Sequence, residues 1–264
     1  MAQLFELPRN IAIEGPIRAG KSTLATLLAE KIGGRRIAGP QENPFLSRFY
    51  RGEKSAAFSA QMWFLMGRYE QLCAAAQQDA KCRHTMPVVA DYIFEKDKLF
   101  ACLNLGDDEL ALYNRQYEYF HDRLPTPDLV IYLQASPQVL RKRLRRKGVA
   151  EERAISDKYL DQVVRAYEHF FFHYTASDLL VVDTDDLDFV QNNQDLQTLL
   201  RRLTEPVHGT QYFLPLGNRD GSSPRKLMGA CRSAMSMAAP SLRQWTRGLG
   251  PGIFHSAQKF CRAL

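Results

Sequence analysis

The chain has 264 residues, 45% of them hydrophobic, with 35 Lys+Arg against 29 Asp+Glu. This predicts a buried core in one α/β domain plus an extension, and it excludes wholesale disorder. No apolar stretch approaches the roughly 20 residues of a membrane-spanning helix. The first ten residues lack a secretory pattern, and five cysteines without a CxxC pair speak against a disulfide scaffold or a zinc site. A reducing, cytoplasmic setting is the expectation.

The excess charge of +6 is local. Residues 205–264 hold eight Lys/Arg and two acids, Glu205 and Asp220, so residues 1–204 are electrically balanced. The basic character therefore describes the C-terminal stretch alone.

In chain order, Asn10 to Glu14 is an apolar run between Pro8 and Gly15-Pro16, which predicts a buried strand. Ser22 to Ile32 has Leu24, Leu27, Leu28 and Ile32 at helical spacing, stopped by Gly33-Gly34. A short strand is expected at 36–38, a long helix over 56–80, and a third strand at 87–91 ending in Asp91. Helices follow at about 94–104 and 107–122, the second with Asp107 and Asp108 suited to an electropositive N-terminus. Pro127 to Leu133 reads as a strand, and Ser136-Pro137 caps and opens a helix to about Lys147. A further helix runs from Ser156 to about Tyr174, then a strand over 179–182 and a helix over 194–203.

Strands alternating with helices predict a five-stranded parallel sheet covered on both faces. Residues 1–204 form the predicted domain. Beyond Glu205, Pro, Gly, Ser and Arg accumulate, which predicts a basic, weakly ordered extension over 205–264. Its end carries Trp245, Phe254 and Phe260 among cations, so contact with a membrane or a protein is the alternative to a solvated tail. Eight scattered cations predict only weak, salt-sensitive attraction to nucleic acid, with no specific recognition.

Gly15-Pro16-Ile17-Arg18-Ala19-Gly20-Lys21-Ser22 matches GxxxxGK[ST] between a predicted strand and helix, with Thr23 following. Glycines let backbone N–H groups close on phosphate oxygens, and the helix N-terminus adds a favourable dipole. Lys21 suits the β- and γ-phosphates of ATP, and the Ser22 hydroxyl suits Mg²⁺. Asp91 ends an apolar strand, and strand ends of that kind face the ligand crevice. It is the second candidate metal ligand.

Four segments together resemble the deoxynucleoside kinases, in particular bacterial members of the deoxyadenosine/deoxyguanosine kinase type. They are Glu14 to Leu24, Glu42-Asn-Pro-Phe-Leu46 with Phe49-Tyr50, Asp91 to Asp97 with Phe100-Ala101, and Pro127 to Leu133. The resemblance covers roughly residues 8–203. It implies a P-loop kinase fold, usually a homodimer, transferring the ATP γ-phosphoryl to the 5′-hydroxyl of a deoxynucleoside. It implies that Lys21, Asp91 and the lid residue Arg143 act in catalysis. It further implies that Gln61, Arg68 and Asp97 recognise the base, and that Glu152 meets the sugar. The Arg68/Asp97 pair favours a purine deoxynucleoside or deoxycytidine. Gln61 and Arg68 are seven residues apart, so they share one helix face.

Two positions depart from the family pattern. The glutamate that accepts the hydroxyl proton is Ala38 here, and a lid arginine is Val149. Alanine takes no proton and valine carries no charge. These departures predict a weakened or reorganised transfer, with a nucleotide-binding module carrying an interaction tail as the alternative.

Overall fold

The computed structural model describes residues 8–40, 42–81, 86–147 and 155–214. The elements are β1 (Asn10–Glu14), α1 (Lys21–Ile32), β2 (Arg35–Ile37), α2 (Leu46–Tyr50), α3 (Lys54–Lys81), β3 (Val88–Ala90) and α4 (Lys96–Asn104). They continue with α5 (Asp107–His121), β4 (Leu129–Gln134), α6 (Pro137–Lys147), α7 (Asp157–Phe172), β5 (Asp178–Asp183), α8 (Asn193–Leu203) and β6 (Thr210–Phe213). No helix among the described residues is long and apolar enough to cross a membrane.

The strands form one parallel sheet in the order β2-β3-β1-β4-β5-β6. A parallel sheet needs cover on both faces, so its inner strands β1, β3, β4 and β5 are largely apolar, while the edge strands β2 and β6 are not. Ile11, Ile13, Val89, Ile131, Leu133, Leu180 and Val182 pack on one side with Leu24 and Leu28 of α1, Leu140 of α6 and Leu199 of α8. Alternation turns Val88 and Ala90 to the other side, against Ala75 of α3. Tyr132 also lies off the first face, stacked on Phe171 of α7 with ring centroids 4.1 Å apart.

The same alternation decides where the site lies. Ile11 and Ile13 belong to the first face, so Glu14 falls on the second. β1 pairs with β3 on one side and β4 on the other. The chain thus turns one way after β1 and the other way after β3. In open parallel sheets, ligands bind outside the strand C-termini at such a switch point. The loop after β1 and the turn after β3 both open there.

The fold corrects the strand count from five to six. The sixth strand, Thr210–Phe213, lies in the stretch expected to be tail, and it pairs with Leu179 to Val182 of β5. Its residues alternate exposed and half-buried, as an edge strand does. Four residues without an unbroken apolar run leave no clear strand signal in sequence. The chain divides after Pro215, and the residues beyond 214 lie outside those described.

Ile131 is fully buried at the middle of β4. Ile131→Ala is expected to lower stability by about 2–5 kcal/mol, measured by urea unfolding. A loss under about 1 kcal/mol would mean that β4 is not the packing centre of the sheet.

Candidate active site

The phosphate loop is shaped by close approaches. A Cβ at Gly15 would come within 2.5 Å of the Leu133 carbonyl oxygen. Gly20 has φ 105°, and a Cβ there would meet the Phe189 ring at 2.5 Å. Both positions require glycine. Arg18 takes φ 63°, and among the described residues it is the one non-glycine with positive φ. Such a residue is strained by roughly 1–2 kcal/mol, and strain of this kind collects at functional loops. The loop delivers Lys21, Ser22 and Thr23 onto the first turn of α1, and Lys21 Nζ donates to the Gly15 and Pro16 carbonyls at 2.7 and 2.9 Å.

Behind the loop sits Glu14, fully buried. Its Oε1 accepts the Gly15 N–H at 2.8 Å, the Tyr167 hydroxyl at 3.0 Å and Lys96 Nζ at 3.1 Å. Its Oε2 accepts the Ile93 N–H at 3.1 Å. Burial and the neighbouring carboxylate together push the Tyr167 hydroxyl well above its ordinary range. Lys21 is pulled down to about 7, first by burial and next by the charge of Lys96, with Glu14 and Asp91 pulling the other way.

Two cavities open around Lys21. One, of about 440 Å³, is bordered by the phosphate loop, by Arg143 and Arg146 of α6, and by the Leu187 to Gln191 segment. The other, of about 210 Å³, is bordered by Gln61, Phe64, Arg68, Lys96, Asp97 and Tyr167, among others. Ile17 and Lys21 line both. The two cavities therefore share Lys21 as part of their walls.

The second cavity has a built polar wall. Ala57, Ala60, Gln61, Phe64 and Arg68 form a stripe along α3 at helical spacing. The Gln61 side-chain amide donates to Asp97 twice, to its carbonyl at 2.9 Å and to Oδ1 at 2.8 Å. Arg68 Nη1 lies 2.5 Å from the same Oδ1. Burial works against the Arg68 charge, but Asp97 beside it holds the guanidinium above its ordinary value. Asp97 Oδ2 and Arg68 Nε are buried and unpartnered. Unpaired polar atoms of this kind suit the donors and acceptors of a base edge.

The remaining candidates fall as follows. Asp91 Oδ1 accepts the Gly39 N–H at 2.7 Å, and Oδ2 pairs with Arg36 at 2.8 Å. Each oxygen keeps a second lone pair. Arg143 Nη2 donates to the Thr184 and Leu187 carbonyls at 2.5 and 3.0 Å, so it fixes the wall of the larger cavity while lining it. Ala38 directly follows β2 and precedes Gly39, the residue tied to Asp91. Glu42 is exposed and lines neither cavity. Glu152 and Val149 lie outside the described residues.

Among the described residues no three His, Cys, Asp or Glu groups cluster to cage a metal. Mg²⁺ asks for little from a protein. It keeps waters and substrate phosphates and takes one or two side-chain oxygens. The Ser22 hydroxyl beside the phosphate loop, with the Asp91 carboxylate at the end of β3, fits that demand.

A phosphate loop on a parallel sheet, with a lysine shared between two cavities, defines a P-loop kinase fold. The family model described as "Deoxynucleoside kinase" matches residues 11–208. The chain belongs to the deoxynucleoside kinase family. It is 37% identical over 202 residues to a deoxyguanosine kinase of Bacillus subtilis, covering 75% of this chain and 97% of that one. It is 29% identical over 212 residues to a deoxyadenosine kinase of Lactobacillus acidophilus, covering 75% and 95% respectively. The structure of deoxyadenosine kinase from M. mycoides with bound dATP superposes with a TM-score of 0.62 at 25% identity, covering 74% of this chain and 98% of that one.

Sequence reasoning brought Gln61, Arg68 and Asp97 to the site but missed four residues. Glu14, Lys96 and Tyr167 form the buried cluster, and Arg36 pairs with Asp91. Two of them carried a signal. Glu14 is a lone charge ending an apolar strand, and Lys96 is a cation in a helix's first turn, where the dipole favours anions.

The low Lys21 value has a sign that can be tested. Above about pH 7 part of Lys21 is neutral in the free protein, and phosphate oxygens draw it back to the ammonium form. ATP binding is expected to take up as much as one proton per site near pH 8. Calorimetry in buffers of different ionisation enthalpy reads that number. Lys21→Arg, always charged, should lose the uptake, and equal uptake in both proteins would contradict the assignment.

Proposed function

We propose that the protein transfers the γ-phosphoryl group of ATP to the 5′-hydroxyl of a deoxynucleoside, with a purine deoxynucleoside or deoxycytidine as acceptor. The observation that carries this reading is the pair of cavities meeting at Lys21. The larger takes the triphosphate. The smaller takes the nucleoside, with its base toward Gln61, Arg68 and Asp97 and its 5′-end toward Lys21. Kinship with proteins named deoxyguanosine and deoxyadenosine kinases supports the substrate class.

In this reading the loop amides and Lys21 hold the phosphates, and α1 directs its N-terminus at them. Ser22 and Asp91 hold Mg²⁺, which when bound neutralises phosphate charge. Arg143 sets the far wall of the donor cavity. Gln61 gives its amide N–H groups to Asp97, and the unpartnered Arg68 Nε and Asp97 Oδ2 beside it are the donor and acceptor that suit a base edge over an apolar fit. Phosphoryl transfer leans on positioning and charge stabilisation more than on proton abstraction, so Ala38 is compatible with turnover.

The direct test is ATP consumption across the four deoxynucleosides, with the product identified by mass. A 5′-monophosphate is expected, and Lys21→Ala should lower kcat by about 100- to 1,000-fold. Full activity in Lys21→Ala would sink the reading.

Ala38 favours a second reading, a nucleotide-binding module of low turnover. Ala38 stands beside the Asp91 segment without a proton acceptor. If its lack of a carboxylate limits the rate, Ala38→Glu should raise kcat by about 100-fold, within the usual range for a general base. An unchanged kcat would show that the reaction does not wait for a base at this position.

A further inference from the structure

We propose that Lys96 is a second catalytic cation, which contacts the transferring phosphoryl group from the acceptor side while Lys21 contacts it from the donor side. The proposal rests on the kinase reading above and assigns a residue that reading does not use.

Three observations carry it. The first is placement. Lys21 Nζ is tied to the Gly15 carbonyl at 2.7 Å, and Lys96 Nζ is tied to the carboxylate of the preceding residue, Glu14, at 3.1 Å. Two lysine side chains are thus tied to adjacent residues, Lys21 to Gly15 in the phosphate loop and Lys96 to Glu14 behind it. Both line the smaller cavity, and Lys21 also lines the larger one.

The second is that local structure argues against a lysine here. Lys96 opens α4, where the helix dipole disfavours a cation. It is only 14% exposed, and Glu14 is fully buried. A buried ion pair of this kind is a poor source of stability, because desolvation offsets the attraction. A residue that breaks a local rule without a stability gain points to function.

The third is how Lys96 is held. Glu14 also accepts two backbone N–H groups and the Tyr167 hydroxyl, so the carboxylate that holds the ammonium is itself fixed. Catalytic charge works best when it needs no reorganisation at the moment of reaction.

The step balances without a basic side chain. The 5′-oxygen forms its bond to the γ-phosphorus as the bond from that phosphorus to the bridging oxygen breaks. The electron pair of the broken bond leaves with the nucleoside diphosphate. The hydroxyl proton passes to water. Lys96 takes no part in the proton transfer and stabilises the equatorial phosphoryl oxygens. It thereby supplies charge on the acceptor side, in the cavity it lines with Lys21.

The test uses the full chain and two readouts. The first is kcat and KM with ATP and deoxyguanosine. The second is calorimetric binding of deoxyguanosine and of its 5′-monophosphate to the nucleotide-free protein. Lys96→Gln is expected to lower kcat about 100-fold with the nucleoside KM within twofold. It should also weaken monophosphate binding about tenfold and leave nucleoside binding intact, and Lys96→Arg should restore most of that binding. If Lys96→Gln fails to fold, Glu14→Gln with Lys96→Gln removes both buried charges and is read the same way. A kcat within threefold of wild type, or equal loss of nucleoside and monophosphate binding, overturns the proposal. The two readings fail separately. A wild-type protein that phosphorylates no nucleoside refutes the kinase reading, while the monophosphate readout still decides whether Lys96 binds the phosphoryl group.

Discussion

The carboxylate of Glu14 is buried completely and accepts hydrogen bonds from four separate parts of the chain. A buried charge costs several kcal/mol unless it is paired and fully bonded, so the fold must bring all four parts to it at once. They are the phosphate loop, the turn after β3, the first turn of α4 and the middle of α7. Each contributes to the site through something else as well. The loop carries Lys21, the turn follows Asp91, α4 carries Asp97, and Tyr167 lines the smaller cavity. The cluster around Glu14 is therefore where the architecture of the sheet becomes the architecture of the site.

Charge in this region is arranged in two layers. Near the loop, Lys21 and Lys96 face Glu14 and Asp91. Further along α3, Arg68 faces Asp97, with Gln61 bonded to the same carboxylate. The first layer suits phosphate and the second a base edge with mixed donors and acceptors. Arg36 takes one oxygen of Asp91 and the Gly39 N–H takes the other. That pairing holds the segment after β2, with Ala38 in it, against the end of β3. The smaller cavity is thus shaped by contacts among protein groups, with Lys21, Arg68 and Lys96 as cations in its lining.

Much of this was legible in one dimension. Glycine and lysine spacing located the phosphate loop. Apolar runs of three to five residues located β1, β4 and β5, because parallel strands are buried on both faces. The seven-residue interval put Gln61 and Arg68 on one face of α3, where both meet Asp97. β6 was not legible, since four half-exposed residues at a sheet edge leave no continuous apolar signal. The role of Arg143 was legible only in outline. Its basic neighbourhood suggested phosphate, and the structure adds that its Nη2 is bound to the carbonyls of Thr184 and Leu187 while it lines the larger cavity.

By itself the sequence determined the succession of β1 to β5 and of the helices other than α2, the phosphate loop and the family, because each depends on residues that are neighbours along the chain or lie on one helix face. Tertiary structure alone decided that Lys21 serves two cavities, that Arg36 meets Asp91, and that Lys96 and Tyr167 share the Glu14 carboxylate across 82 and 153 residues. No local pattern encodes those meetings. They follow from the parity of β1, which turns Glu14 away from the face of Ile13, and from a strand order that places the ends of β1 and β3 side by side.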